Sequence, residues 1–223
     1  SKPVMMRVTR REENFFGRAR PGIQARVKIG FRRDGRITAL DLFTIGDGGP
    51  YGRSGDFLNV GAIASLAYQP LSTRIRGLHV YTNTPPRGAQ RAPGGAQAIG
   101  MLAPIIDKAA RQLGIDRVEI LRINAPAGQA KFGPPRDGEQ GNVSSAFVRE
   151  AIDKGVALFN WEERRQLSGR RRGSKVTGFG VALSPFSAGS FGMDGLLTIR
   201  PDGRLYVQTG IGNLGTESFS DCS

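Results

Sequence analysis

The chain has 223 residues, of which 39% are hydrophobic and 23% charged, enough apolar content for one large globular domain or two small ones. It has one cysteine, Cys222, and one histidine, His79, which excludes a disulfide framework and a metal site built from cysteine or histidine pairs within the chain. Because no run of about 18 apolar residues occurs, no membrane-spanning helix is predicted.

The net charge of +13 admits two interpretations. A strongly basic chain is typical of nucleic-acid binding, and it also fits a protein whose assembly partners are acidic. Over the first forty positions the basic residues alternate with apolar ones, as on the outer face of a sheet, and no aromatic stacking pattern accompanies them. The second interpretation is therefore favoured, and nucleic acid is disfavoured as a partner.

The first eighty residues are predicted to form strands and one short helix. The clearest signal is a hairpin, because apolar and polar residues alternate before and after Asp34-Gly35, a dipeptide that favours tight turns. Ile75, Leu78 and Val80 are predicted to be buried, and His79 is interpreted as a surface or satisfied histidine. The predicted elements are strands at 4–9, 24–31, 37–45 and 72–81 and a helix at 60–68.

A turn rich in glycine and proline, residues 85–98, leads into the longest helical segment. That segment, 96–113, has apolar residues at helical spacing, and Pro104 either kinks the helix or begins a second one. The turn carries Arg87 and Arg91. Backbone N–H groups of such a turn can bind an anionic or oxyanionic ligand, so this is the candidate ligand-binding segment; the alternative is a plain connecting turn.

The second half of the chain is predicted to be helical and then rich in strands. Gly114 is a predicted C-cap and Asp116 the N-cap of a short helix, 117–123. Residues 124–141 are predicted to be a loop, and 170–173 a basic, solvated linker. The other predicted elements are helices at 146–159 and 161–169, strands at 176–183, 194–199 and 204–209, a hairpin turn at 201–203 and a glycine-rich loop at 210–217.

The order of these motifs resembles the molybdopterin-binding large subunit of the xanthine dehydrogenase and aldehyde oxidase family. The resemblance is carried by Ala-Gln-Arg-Ala-Pro-Gly-Gly-Ala-Gln-Ala at 89–98, by the close of the following helices at 113–124, and by the last hairpin and glycine loop. It covers nearly all of this chain but only the middle of a family subunit. It implies an α+β fold of mixed and antiparallel sheets with packed helices, with a first molybdopterin-binding-type region at 1–169 and the start of a second at 170–223.

The resemblance implies a molybdenum hydroxylase, which takes oxygen from water and passes electrons to iron–sulfur clusters and FAD on partner subunits. The pterin holds the molybdenum, so no protein side chain is expected as a metal ligand. The expected cofactor is molybdopterin, as such or as its cytosine dinucleotide. The chain is expected to act on a small-molecule substrate within a heteromeric cytoplasmic complex, whose other chains complete the molybdenum site, and not alone.

The same resemblance assigns roles to individual residues. Arg91 matches the family arginine beside the molybdenum and is the candidate catalytic residue, because a guanidinium group binds carbonyl and carboxylate oxygens well. The candidate cofactor-binding residues are Ala89, Gln90, Arg91, Gly94, Gly95, Gly215 and Thr216. The candidate substrate-channel residues are Pro93, Pro185, Phe186 and Ser187.

Departures from the family pattern keep alternatives open. Thr216 stands where the family has a pterin-contacting glutamine, Pro93 where an aromatic residue is common, and Arg117 where a proline is usual. The family's general-base glutamate and its first pterin loop have no counterpart here. A non-redox hydratase that uses the same cofactor is therefore an alternative, and so is a basic non-catalytic protein that binds nucleic acid or another polyanion.

Overall fold

The computed structural model describes residues 2–52, 55–136, 139–186 and 195–209. Over these residues the protein is α+β, as predicted, with mixed and antiparallel sheets and packed helices. Its contacts divide it into two compact units, Ser1–Phe186 and Ser187–Ser223. The division of the chain into molybdopterin-binding-type regions at 1–169 and 170–223 remains a proposal. None of the described helices is both long and apolar enough to cross a membrane.

The first unit contains a sheet that, within the described residues, has three strands in the order β1-β2-β3. Strands β1 (Ile23–Phe31) and β2 (Ile37–Asp47) form the predicted antiparallel hairpin, whose turn includes Gly35 at a φ of 89°. Helix α2 (Asp56–Tyr68) then crosses over to β3 (Ser72–Val80), which pairs with β2 in parallel. The hairpin, the helix and the third strand were all predicted.

The observed burial of residues on β3 differs in part from the prediction. Ile75 is half-buried and lies close to Gly61 of α2. Leu78 and Val80 are 53% and 40% exposed, so the prediction that they are buried is wrong. Successive side chains of a strand point to opposite faces, and residues 78 and 80 therefore lie on the face opposite to that of residue 75.

Helix α2 is the centre of the core, because every residue from 60 to 68 is buried. A helix without a solvated face is typical of a buried position. Helix α3 (Gly95–Leu113) packs against it, and it is one helix that continues through Pro104. Pro104 is exposed, so water can bind the carbonyl that the proline leaves without a donor. The buried residues of α3 are Gly95, Ala98, Leu102, Ile106, Ala109 and Ala110.

The caps predicted after α3 are confirmed. Gly114 has a φ of 69°, and Asp116 accepts a hydrogen bond from Val118 N at 2.8 Å at the start of α4 (Arg117–Asn124). The last residue of α4, Asn124, is 1% exposed.

The buried amide of Asn124 joins α4 to the β1–β2 hairpin. Its side-chain oxygen accepts a hydrogen bond from Ile37 N at 2.9 Å. Its side-chain nitrogen donates to Gly35 O at 2.9 Å and to Ile120 O at 2.8 Å. One side chain therefore satisfies backbone groups of both elements.

The predicted loop at 124–141 is wrong, because β4 (Gly128–Arg136) and β5 (Glu139–Ala146) form an antiparallel hairpin there. The glycines and prolines of this segment give no alternating pattern. The hairpin is held by distant partners at the end of α2: Gln69 Nε2 donates to Lys131 O at 2.9 Å, and Gly133 N donates to Ser65 Oγ at 2.8 Å.

The strand predicted at 4–9 is also wrong, since residues 2–9 form no regular element. Helix α1 (Arg10–Phe16) follows them, and none of its residues is buried. A capping box explains this helix: Glu12 N donates to the Thr9 hydroxyl, and Thr9 N donates to the Glu12 carboxylate.

The rest of the first unit is helical and then irregular. The predicted helices are present as α5 (Val148–Phe159) and α6 (Trp161–Arg165). The strand predicted at 176–183 is wrong: β6 (Arg171–Arg172) pairs only briefly with β7 (Lys175–Val176), and 177–186 is irregular. Apolar residues of that segment pack on the helices, and this packing takes the place of strand pairing.

The described part of the second unit is the predicted hairpin of β8 (Gly195–Ile199) and β9 (Leu205–Thr209). Its turn is closed by Gly203 N donating to Arg200 O at 2.9 Å, with Gly203 at a φ of 81°.

We expect Asn124→Ala to lower the free energy of unfolding by about 2–4 kcal/mol, because it leaves buried backbone groups of the hairpin without partners. Chemical denaturation measures this change. Asn142→Ala is the matched control, since Asn142 is exposed on β5, and it is expected to change stability by less than about 0.5 kcal/mol. Equal effects of the two substitutions would contradict the role of Asn124.

Candidate functional site

The candidate ligand-binding turn connects β3 to α3, and we call residues 81–94 the Arg91 loop. Its first half is held by the carboxylate of Asp47 at the end of β2. Thr82 and Thr84 donate hydroxyl hydrogen bonds to this carboxylate, and Arg87 donates through Nε at 2.9 Å. Because these bonds favour the ionised form, the pKa of Asp47 is lowered, and the Thr82 hydroxyl is the largest cause.

The middle of the Arg91 loop runs beside the segment that precedes β1. Ala19 N donates to Pro86 O at 3.0 Å, and Gly88 N donates to Ala19 O at 3.1 Å. The side-chain amide of Gln90 donates to Arg18 O at 2.8 Å. The Arg91 loop is therefore fixed along its length to two separate parts of the chain.

The end of the Arg91 loop is held by Arg20. The Arg20 guanidinium donates to Arg91 O at 2.6 Å and to Ala92 O at 3.3 Å. Ala92 has a φ of 56°, in the left-handed region that residues other than glycine seldom adopt. The backbone turns sharply here, directly before α3.

Two of the predicted glycines lie buried where α3 begins. Gly94 has a φ of 71°, and a Cβ atom on it would lie 2.2 Å from Asp56 O in α2, so packing requires glycine at this position. A Cβ atom on Gly95 would lie 3.3 Å from Cδ2 of Phe186, which places a predicted substrate-channel residue beside the start of α3.

Ala89, Gln90 and Arg91 are exposed. Among the described residues, the Arg91 guanidinium forms no hydrogen bond or ion pair, and no acceptor binds the backbone N–H groups of these three residues. The Arg91 loop thus exposes several hydrogen-bond donors, one of them positively charged. Such a set suits an anionic or oxygen-rich ligand.

An apolar cavity of about 600 Å³ lies within the first unit, and Pro185 and Phe186 are part of its wall. Pro93 is half-buried and does not line it. Phe186 is the residue that both lines the cavity and reaches the start of α3. The remaining walls come mainly from α5 and its neighbours, including Val143, Val148, Ile152, Phe159 and Leu183.

The structure therefore brings together the predicted residues of the Arg91 loop, Gly95 and Phe186. Three other predicted residues, Ser187, Gly215 and Thr216, lie outside the described residues.

Sequence reasoning missed Asp47 and Arg20, although both fix the Arg91 loop. Asp47 binds a hydroxyl 35 positions away, and Arg20 binds a carbonyl 71 positions away. Neither residue lies in a motif that signals such a contact. The position of Asp47 between a strand and a glycine run was the only local hint.

His79 is a satisfied histidine, in agreement with its interpretation from sequence. Its Nε2 atom lies 3.3 Å from Tyr51 O, and its ring packs near those of Phe57 and Tyr81. In the part of the chain that the structure describes, no group of three or more His, Cys, Asp or Glu residues could hold a metal ion.

Comparison with known sequences finds a family and relatives for the chain. The sequence profile of the molybdopterin cofactor-binding domain matches residues 1–125, more than half of the chain. The xanthine dehydrogenase molybdenum-binding subunit of Escherichia coli O157:H7 is 29% identical over 221 residues, which cover 96% of this chain and 29% of that protein. The nicotinate dehydrogenase large molybdopterin subunit of Eubacterium barkeri is 28% identical over 166 residues, covering 74% of this chain and 39% of that protein.

Solved structures share the fold. The aldehyde oxidoreductase from Desulfovibrio desulfuricans ATCC 27774 superposes with a TM-score of 0.64 at 22% sequence identity, covering 88% of this chain and 22% of that one. The chain therefore spans less than half the length of these relatives.

We expect Gly94→Ala to lower the free energy of unfolding by about 2–4 kcal/mol, because a Cβ atom combines an unfavourable φ with a clash against backbone. Gly100→Ala, in the helix that Gly94 precedes, is the matched control. It has open space around its Cα, so alanine is expected to be neutral or to stabilise by about 0.5–1 kcal/mol. Thermal or urea unfolding measures both variants, and a neutral Gly94→Ala would contradict the packing at this position.

The stabilising effect of Asp47 is expected to depend on pH. Because its pKa is lower in the folded state, its contribution is complete above the unfolded-state pKa of about 4 and is lost as the pH falls through the lower folded value. We expect Asp47→Asn to lower the free energy of unfolding by about 1–3 kcal/mol at pH 7, and by clearly less below about pH 3.

Urea titrations at the two pH values test this expectation. Asp34→Asn is the control, because Asp34 accepts a single turn hydrogen bond, from Arg36 N, on the surface. An equal loss of stability for Asp47→Asn at both pH values would show that its charge is not what holds the Arg91 loop.

Proposed function

Because the chain belongs to the molybdopterin cofactor-binding domain family, we propose that it forms part of the molybdenum-binding subunit of a hydroxylating oxidoreductase related to xanthine dehydrogenase and aldehyde oxidase. The observation that supports the proposal most is the donor set of the Arg91 loop. It combines a guanidinium without a partner and the backbone N–H groups of three exposed residues, which have no acceptor among the described residues.

These residues fit the cofactor chemically. The phosphate of molybdopterin is anionic and the molybdenum would carry oxygen ligands, and both kinds of group would accept hydrogen bonds from N–H donors. When bound, the cofactor supplies a redox centre that accepts two electrons from the substrate. The chain contributes the binding surface and the orientation of the reacting groups.

Within the proposed site, Arg91 binds a carbonyl or carboxylate oxygen of the substrate and orients it. The N–H groups of Ala89 and Gln90 bind oxygen atoms of the cofactor. Gly94 and Gly95 allow the backbone to lie close to it. Pro93, Pro185 and Phe186 provide apolar walls that exclude water from the substrate. The proposed set also includes Ser187 in the channel and Gly215 and Thr216 at the cofactor.

The proposed reaction replaces a C–H bond of the substrate with a C–OH bond. Water provides the oxygen atom, and two protons and two electrons are released for each turnover. Iron–sulfur clusters and FAD on partner subunits would take up the electrons, and another segment or chain would provide the general base. The cofactor is proposed to be molybdopterin or its cytosine dinucleotide, in a heteromeric cytoplasmic complex.

The basic character of the chain does not require a nucleic-acid partner. Several arginines are paired with carboxylates: Arg74 and Arg76 bind Asp41, and Arg117 binds Asp107. The acidic-partner interpretation of the charge is preferred to polyanion binding, because the chain matches part of the molybdenum-binding subunits of larger enzymes.

We expect Arg91→Ala to lower kcat/KM by at least about 100-fold and Arg91→Lys by about 10-fold, because a lysine ammonium cannot replace the planar guanidinium. The intact enzyme is assayed with xanthine, nicotinate and an aromatic aldehyde, using an artificial electron acceptor. Molybdenum and pterin contents are measured on the same samples and are expected to stay at wild-type level.

Arg33→Ala is the matched control, because Arg33 is exposed in the β1–β2 hairpin, far from α3 in the sequence. Full turnover by Arg91→Ala would remove Arg91 from the proposed chemistry. Wild-type enzyme that contains neither molybdenum nor pterin would contradict the proposed function as a whole.

A further inference from the structure

The catalytic role proposed for Arg91 requires a fixed backbone, yet residues 89–93 form no regular element. The shortest hydrogen bond to this part of the Arg91 loop comes from the Arg20 guanidinium. It donates through one terminal nitrogen to Arg91 O at 2.6 Å and through the other to Ala92 O at 3.3 Å. The two nitrogens of a rigid planar group are thus bound to consecutive carbonyl oxygens.

The hydrogen bonds from Arg20 stabilise the unusual backbone conformation of Ala92. A φ of 56° costs a residue with a Cβ atom about 1–2 kcal/mol. The turn also directs Ala92 O toward Gly95 N, which donates to it at 3.0 Å. Hydrogen bonds from Arg20 to the carbonyls on both sides of the turn offset this cost, because charged donors form the stronger bonds.

Gln97, near the start of α3, binds both Arg20 and the residue that follows it. Gln97 Nε2 donates to Pro21 O at 3.1 Å, and Arg20 lies 3.5 Å from Gln97 Oε1. The segment that carries Arg20 is therefore fixed to the same helix that the Arg91 loop begins. Arg20 and the turn that it holds are both hydrogen-bonded to residues at the start of α3.

Arg20 differs from the other loop-holding arginine in its partners. Arg87 is paired with the Asp47 carboxylate at 2.8 Å, whereas Arg20 has no carboxylate partner among the described residues. All of its described hydrogen bonds go to neutral oxygens. Its positive charge therefore adds to that of Arg91 on the loop and favours an anionic ligand there.

We propose that Arg20 is a positioning residue that holds the backbone turn at 91–92 and thereby sets the place of the Arg91 guanidinium. The effect of Arg20 on the backbone rests only on the contacts above. Its consequence for turnover rests on the proposed function.

The test compares Arg20→Ala and Arg20→Lys with Arg26→Ala in the intact enzyme. Arg26 is an exposed arginine on β1 whose side chain faces away from the core, so it is the matched control. Hydrogen–deuterium exchange of peptides covering 88–98 and the rate of tryptic cleavage after Arg91 report on the turn without any need for activity. Steady-state kinetics report on the chemistry.

We expect Arg20→Ala to speed exchange and tryptic cleavage at the turn by about 10-fold or more, and to lower kcat by about 10–100-fold with KM changed by less than about 3-fold. Arg20→Lys should lie between Arg20→Ala and wild type, and millimolar guanidinium should partly restore kcat of Arg20→Ala. Arg26→Ala should match wild type in every measurement. If Arg20→Ala does not fold, the same measurements on Arg20→Lys decide.

Unchanged exchange at 88–98 would overturn the proposal, because the turn would not depend on Arg20. Faster exchange with unchanged kcat would overturn the positioning role and leave Arg20 only a structural one. An enzyme without molybdenum would instead contradict the proposed function, and the exchange measurement would still decide whether Arg20 holds the turn.

Discussion

The close approach of neighbouring elements to helix α2 is the constraint on which the rest of the structure depends. At three glycines a Cβ atom would lie too near another group: 2.4 Å from Ile75 at Gly61, 2.3 Å from Phe57 at Gly77, and 2.2 Å from a backbone oxygen at Gly94. The first two contacts involve side chains that could shift, but the third involves backbone. The start of α3 is therefore fixed on α2, and with it the end of the Arg91 loop.

The Arg91 loop is held at three places, and its exposed residues remain available to a ligand. Asp47 holds its first half, the segment at 18–20 holds its middle, and Arg20 holds its final turn. None of these three contacts uses the Arg91 side chain, which has no partner among the described residues. Backbone donors that are held in place before a ligand binds need little further ordering when it does.

Local signals explain what could be predicted from the sequence. Asp34-Gly35, Gly114 and Asp116 act through their own backbone, so the hairpin and the caps around α4 followed from short segments. The β4–β5 hairpin could not be predicted, because its glycines and prolines conceal a pairing that depends on Ser65 and Gln69. The candidate site likewise combines features that a local motif predicts with features that depend on distant contacts. The turn and Arg91 could be recognised in the sequence, whereas Asp47 and Arg20 act across more than thirty positions and belong to no motif.

We propose that the Arg91 loop borders a molybdenum cofactor. A crystal structure of the intact enzyme, with anomalous difference maps collected on both sides of the molybdenum absorption edge, tests it most directly. We expect a molybdenum peak within reach of the Arg91 side chain, on the exposed side of the loop and near Phe186. A molybdenum peak far from residues 89–95, with Arg91 in contact only with solvent, would contradict it.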